Sequence, residues 1–189
     1  MLAKKTHREV KSPQITARYL ADFMSASETA KRTIIRNCKY QPTAPLVQHK
    51  HAKVAVSHFI ASSGSDAAPL AGRAAQLRNM MADDEFTRLT LDSNADYLDR
   101  FANVCSQIAM PKAERFPPGK EVPVVLNGVK ITIEILFRLR RTTSTNEVKT
   151  GGGMVRYLKN WLLNPETAAW QSSFLLGYLD VESQQVVLG

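Results

Sequence analysis

The sequence predicts an α+β fold, with an N-terminal helical region followed by a small mixed sheet. That sheet comprises a β-hairpin, a third strand, a buried helix and a short fourth strand. Two observations predict it. Apolar residues recur at helical spacing from Ile15 to Ile108. The one strong β signal then falls in residues 121–159, where Asn127-Gly128 sits between β-branched and apolar runs. Helices followed by clustered strands, rather than alternating with them, give the α+β class.

Residues 1–13 include Lys4 and Lys5, have no periodicity and end in Ser-Pro, the composition of a mobile basic arm. Residues 14–62 read as a basic helical subdomain. Ile15, Tyr19 and Phe23 share one helical face, with Leu20 and Met24 beside them. Ser25-Ala-Ser-Glu28 has capping-box spacing and starts a second helix. That helix turns Ala30, Ile34, Ile35 and Cys38 inward and leaves Lys31, Arg32, Arg36, Asn37 and Lys39 outside. Two short helices and a three-residue turn resemble a helix-turn-helix. A helical hairpin with a solvated lysine face fits equally well, so the cations are a phosphate-contact expectation rather than a motif.

Pro42 and Pro45 close this pair, and a third helix spans 46–61 with Val47, Val54, Ala55, His58 and Phe59 as its apolar side. His51 and His58 share a face, but no matched cysteine or carboxylate completes a metal set, so they read as structural. Ser62-Ser-Gly-Ser65 is a flexible joint that opens an α+β core domain over 66–189. Asp66 can cap the next helix, with Pro69 in its first turn and Leu70, Ala74, Leu77 and Met81 facing inward. Asp83-Asp-Glu85 opens a short helix. Ser93 then caps another that buries Tyr97, Leu98, Phe101, Val104, Cys105 and Ile108, with an Asp96–Arg100 ion pair on its wet side.

The two-residue turn at Asn127-Gly128 fixes the hairpin register, so that Leu126 faces Val129, Val124 faces Ile131, Val122 faces Ile133 and Glu121 faces Glu134. Alternation puts Val122, Val124 and Leu126 of the first strand, and Val129, Ile131, Ile133, Ile135, Phe137 and Leu139 of a long second strand, on one core-facing side. Pro123 places the first strand at a sheet edge. Lys130 and Arg138 neutralise the Glu121–Glu134 pair on the solvated face. Residues 142–149 and the Gly151–Gly153 triplet read as a loop, 154–158 as the third strand. Asn164-Pro165-Glu166 starts a helix that is apolar nearly all round and packs on the sheet, and residues 185–188 begin a fourth strand.

Charge separates the two regions. Of 25 Lys and Arg, eleven lie in residues 1–53, against three of the 17 Asp and Glu, so the whole +8 excess sits there and the remainder is neutral. That asymmetry is the usual footprint of a polyanionic partner, most often nucleic acid, and a plain solvated surface or a dock for an acidic protein carries the same charge. Cys38 and Cys105 read as free thiols of a reducing compartment, and no apolar run has the length of a membrane span, so the chain reads as cytoplasmic. Nucleophile-elbow, Rossmann, Cys-x-x-Cys and HExxH patterns are missing.

From Asn94 onward the expected order is helix, hairpin strand, long strand, strand, buried helix, short strand. This order resembles the core of the PD-(D/E)XK nuclease superfamily. The resemblance implies an acid on the second core strand and an acid-x-Lys on the third, which together hold Mg2+ and activate a water. Carried onto this chain, Glu134 takes the first position as metal ligand, and Met154-Val155-Arg156 stands where acid-x-Lys is expected. Arg156 can supply charge but not move a proton, and Met154 cannot bind magnesium. Glu121, Asp96 or Asp99 would have to supply the second carboxylate. The sequence thus predicts a nucleic-acid-associated protein with a nuclease-like core, binding DNA or RNA through Lys31, Arg32, Arg36, Lys39, Lys4 and Lys5. An active Mg2+-dependent nuclease using Glu134, Glu121 and Arg156 is one alternative, and an adaptor for an acidic protein is another.

Overall fold

The computed structural model describes residues 6–43, 48–62, 66–107, 113–118, 123–156 and 163–187. In chain order they form β1 (His7–Glu9), β2 (Gln14–Thr16), α1 (Ala17–Met24), α2 (Glu28–Lys39), β3 (Tyr40–Pro42), α3 (Lys50–Ala61), α4 (Ala68–Asn79) and α5 (Glu85–Val104). A 3-10 turn at Cys105–Gln107 follows, then β4 (Glu114–Phe116), β5 (Val124–Leu126), β6 (Val129–Thr132), β7 (Phe137–Thr142), β8 (Val148–Gly153) and α6 (Pro165–Val187). The fold is α+β, as expected, with its strands in three small sheets ordered β1-β3, β2-β6-β5 and β4-β7-β8. The chain divides into two compact units, Met1–Pro45 with Lys120–Glu134 and Leu158–Gly189, and Leu46–Gly119 with Ile135–Tyr157. Both units are built from separate stretches of chain, a division that differs from the continuous 14–62 and 66–189 segments read along the sequence.

In the first unit, part of the expected mobile arm is strand. His7–Glu9 pairs antiparallel with Tyr40–Pro42. Ile15 belongs to a strand too, because β2 runs parallel to β6. The helix begins only after Thr16, whose extended backbone and side-chain oxygen, accepting the Tyr19 N–H at 3.2 Å, cap α1. The hairpin has the register its turn dictates, Leu126 opposite Val129 and Val124 opposite Ile131. Asn127 and Gly128 both have positive φ, at 48° and 78°, as a type I′ turn requires. β5 lies at the edge of its sheet. Val122 and Glu121 lie outside the described residues.

Helix α1 packs on α6. Ala17 and Ala21, one turn apart and buried, let the helices approach closely, and Ser25 and Thr167 share a hydroxyl–hydroxyl hydrogen bond of 2.6 Å. Ser25 therefore ends α1, and Ser27, rather than the expected Ser25, caps α2. Along α6 the buried stripe is Thr167, Gln171, Leu175, Tyr178 and Leu179, while Leu176 is 63% exposed. The helix is therefore amphipathic rather than buried all round, and its partner is α1. It continues to Val187, so residues 185–187, expected as strand, are helical.

The second unit has a core of Ala52, Val56 and Ile60 from α3, Leu70, Ala74 and Leu77 from α4, and Leu91, Ala95, Leu98 and Phe101 from α5. Each fully buried leucine here is worth roughly 1.5–3 kcal/mol. The α4 stripe is as predicted up to Leu77, but Met81 lies beyond the helix and is 95% exposed. In α3 the inward face is rotated from the expected one, with Val56 buried and Val54 exposed. The two helices expected around Ser93 are a single helix, capped by Asp84, whose carboxylate accepts the Thr87 N–H at 2.6 Å. That bond holds the Asp84 pKa below its usual value.

Asn94 and Arg88 also close helix ends in this unit. Asn94 of α5 is fully buried; its Oδ1 accepts the Ala52 N–H at 2.9 Å, and its Nδ2 donates to the carbonyls of Gln48 and Thr90 at 2.9 and 2.8 Å. Ala52 N–H is one of the donors that the first turn of α3 leaves without an intrahelical acceptor, and His49 at the cap position makes no side-chain cap. Arg88 closes the other end of α4, donating to the carbonyls of Leu77, Arg78 and Met80 while its fork grips Asp92 at 2.7 and 3.1 Å.

The expected long second strand is broken. β6 ends at Thr132 and β7 starts at Phe137, and the chain passes from one unit to the other between Glu134 and Ile135. The intervening Ile133, Ile135 and Leu136 are all buried, which strict alternation does not allow. Ser57 donates to the Leu136 carbonyl at 2.6 Å. The glycine triplet is not a loop but the end of β8, with Gly153 opposite Phe137 and Gly151 opposite Leu139. The Phe137 ring lies over Gly153 so closely that a Cβ there would overlap it. Residues 154–156, expected to begin the third strand, follow β8 without regular structure.

Candidate nucleic-acid interface

Helix α2 carries the candidate interface. Ser27 caps it by accepting the Ala30 N–H, Glu28 lies in its first turn and Arg36 and Lys39 in its last, so its charges complement the helix dipole. None of its residues is buried. Spacings of three and four residues put Glu28, Lys31, Arg32, Ile35, Arg36 and Lys39 on one face. With Phe23 and Tyr40 they line a hollow of about 380 Å3.

Two of the four cations have partners, Lys31 with Glu28 at 2.9 Å and Lys39 with Glu9 at 3.3 Å. Exposed pairs of this kind are weak, so a phosphate can displace them. Arg32 and Arg36 are exposed and have no ion-pair partner among the described residues. The Lys31 ammonium stands 5.6 Å from the Phe23 ring centroid and that of Lys39 5.2 Å from Tyr40. The Lys39 pKa is raised, first by its side-chain interaction with Tyr40 and then by Glu9, which keeps the ammonium charged.

A wider hollow of about 780 Å3 shares Phe23, Ile35 and Lys39 with the first and extends to Val10, Leu20 and Val129. Cys38 borders it, half-buried, with burial pushing the thiol pKa up. In the second unit, on the β7–β8 ribbon, Arg141 stands directly opposite Lys149.

The structure thus brings Lys31, Arg32, Arg36 and Lys39 together, while Lys4 and Lys5 lie outside the described residues. Reading along the chain missed Ile35, Phe23 and Tyr40. Ile35 was expected in the core, but its spacing from Lys31, Arg32 and Lys39 is the signal that places it on the basic face.

The residues implied by the nuclease resemblance fall in both units. Glu134 is exposed at the end of the first unit's middle segment, and Arg156 is half-buried in the second unit. Glu121 lies outside the described residues. Asp96 and Asp99 are both held by Arg78, at 3.0 and 2.6 Å, so Asp96 pairs with Arg78. Arg138 donates to the Pro118 carbonyl at 2.6 Å within the second unit. The Met154 thioether is too soft a donor for magnesium. Among the described residues no group of three or more His, Cys, Asp or Glu side chains is placed to hold a metal ion.

No family model, curated protein or solved structure matches the chain. Among the described residues no helix is long and apolar enough to cross a membrane.

Proposed function

We propose that the protein binds nucleic acid, with the exposed face of α2 gripping the sugar-phosphate backbone. One observation carries this reading: Lys31, Arg32, Arg36 and Lys39 share one face of a helix with no buried residue, and two of them are arginines without an anionic partner among the described residues. A guanidinium fork meets phosphate oxygens two at a time, and the charge excess of residues 1–53 draws a polyanion toward this face. Four cations on phosphates give log K against log salt a slope of roughly −3 to −4.

The test is binding of labelled single- and double-stranded DNA and RNA at low and high salt, with and without magnesium, with the products run on a gel. Salt-sensitive binding is expected to survive Glu134→Ala and to be lost when Lys31, Arg32 and Arg36 are all changed to glutamine, with no products formed. Magnesium-dependent products abolished by Glu134→Ala would establish the nuclease alternative instead. Feeble, length-independent binding would point to an acidic protein as the partner of this face.

A further inference from the structure

We infer that the α2 face takes single-stranded nucleic acid, its unstacked bases entering the hollows beside the helix and stacking on Tyr40. The inference rests on the nucleic-acid reading and names the substrate class of the same site. A face that grips only a duplex backbone needs cations and hydrogen-bond donors, because the bases of a duplex are stacked inside it. This face carries more than that. Ile35 is 51% exposed and Tyr40 41% exposed in the midst of the cations. An exposed isoleucine and an exposed aromatic ring have nothing to gain from phosphate, and both have apolar area to gain from a nucleobase.

The hollows fit the same ligand. They measure about 380 and 780 Å3, a range in which proteins hold small organic groups. Both contain Phe23, Ile35 and Lys39, so they adjoin along one side of α2. The walls of the larger are chiefly apolar, from Val10, Ile15, Leu20 and Val129, with Lys39 among its lining residues. Lys39 now stands over the Tyr40 ring, where a base would stack. Its side chain is exposed, so as a base takes that place the ammonium swings to the adjoining phosphate. A cationic track with an aromatic platform beside it is the arrangement by which proteins bind single strands with little regard to sequence.

The experiment compares labelled oligothymidine and oligouridine with a duplex of equal length, using the full chain and its Tyr40→Ala, Tyr40→Phe and Ile35→Ala variants. Both side chains are substantially exposed, so the variants are expected to fold, which circular dichroism checks. Single strands should bind more tightly than duplex. Tyr40→Ala should weaken single-strand binding about five- to a hundredfold, Ile35→Ala less, and Tyr40→Phe hardly at all. Duplex affinity and the salt slope should be unchanged in all three. Equal affinity for strand and duplex, or a Tyr40→Ala effect that is nil or the same on both, would overturn the inference while leaving the nucleic-acid reading in place. Absence of binding to either form would remove that reading and the inference with it.

Discussion

Asn94 offers the sharpest test of how the second unit is held together. Its side chain, fully buried on α5, makes three hydrogen bonds of 2.8 to 2.9 Å, two of them to the N-terminal end of α3. Asn94→Ala strips the Ala52 N–H and the Gln48 carbonyl of this partner. The Thr90 carbonyl still faces the backbone of its own helix. Gln48 is exposed and its carbonyl can turn to water, whereas the buried Ala52 N–H has no other acceptor; a buried polar group without a partner costs about 1–3 kcal/mol, and that is the expected loss. For a unit of this size that corresponds to a fall in Tm on the order of 10 °C. Asn94→Asp should be worse at neutral pH. It keeps an acceptor for Ala52 but loses both donors and buries a charge. Burial raises the folded-state pKa of such an aspartate, so the native state binds more protons than the unfolded one, and stability should rise as pH falls. Urea denaturation followed by far-UV circular dichroism reads both variants, since α3, α4 and α5 carry much of the helical signal. A change within about 0.5 kcal/mol of wild type for Asn94→Ala, at unchanged m-value, would refute the capping argument.

Three further perturbations follow from the same geometry. Gly153→Ala drives a Cβ into the Phe137 ring and should cost about 1–3 kcal/mol; a Phe137→Leu background should relieve most of that increment, as a double-mutant cycle measures. Arg88→Lys keeps the charge but not the fork, so the carbonyls at the end of α4 lose donors, and urea melts should show a loss of about 1–2 kcal/mol. Burial first, and then Lys53, hold the His49 imidazole below its ordinary pKa, so the unfolded chain protonates first as pH falls below about 6.5 and stability is lost progressively from there. His49→Gln should flatten that part of the pH profile, and an unchanged acid dependence of the urea midpoint would contradict the assignment.

What the sequence made legible is what is decided locally. The Asn127-Gly128 turn sets the hairpin register through two backbone angles, and Leu70, Ala74 and Leu77 mark their helix face by spacing alone. Other features depend on distant partners. The face of α3 was ambiguous because Val54 and Val56 are equally apolar, and Asn94, 42 positions from Ala52, fixes where the helix begins. Ser93 reads as a cap, yet the stripe Leu91, Ala95, Leu98 runs straight past it. The break after Thr132 hides in an apolar run because both Ile133 and Ile135 are buried, in different units. At the candidate interface the charge excess was plain from composition. The mixture of cations with Ile35 and Tyr40 was not, because an isoleucine on a helix is expected in a core.

The central claim, that Arg32 and Arg36 contact phosphates, is tested most directly by the salt dependence of nucleic-acid binding. The slope of log K against log salt should be measured for the wild-type chain and for the Arg32→Gln/Arg36→Gln double variant, with circular dichroism confirming equal folding. Removing two phosphate contacts should reduce the magnitude of the slope by about 1.4 to 1.8. An identical slope in the two proteins would contradict the account, since the arginines would then release no counterions.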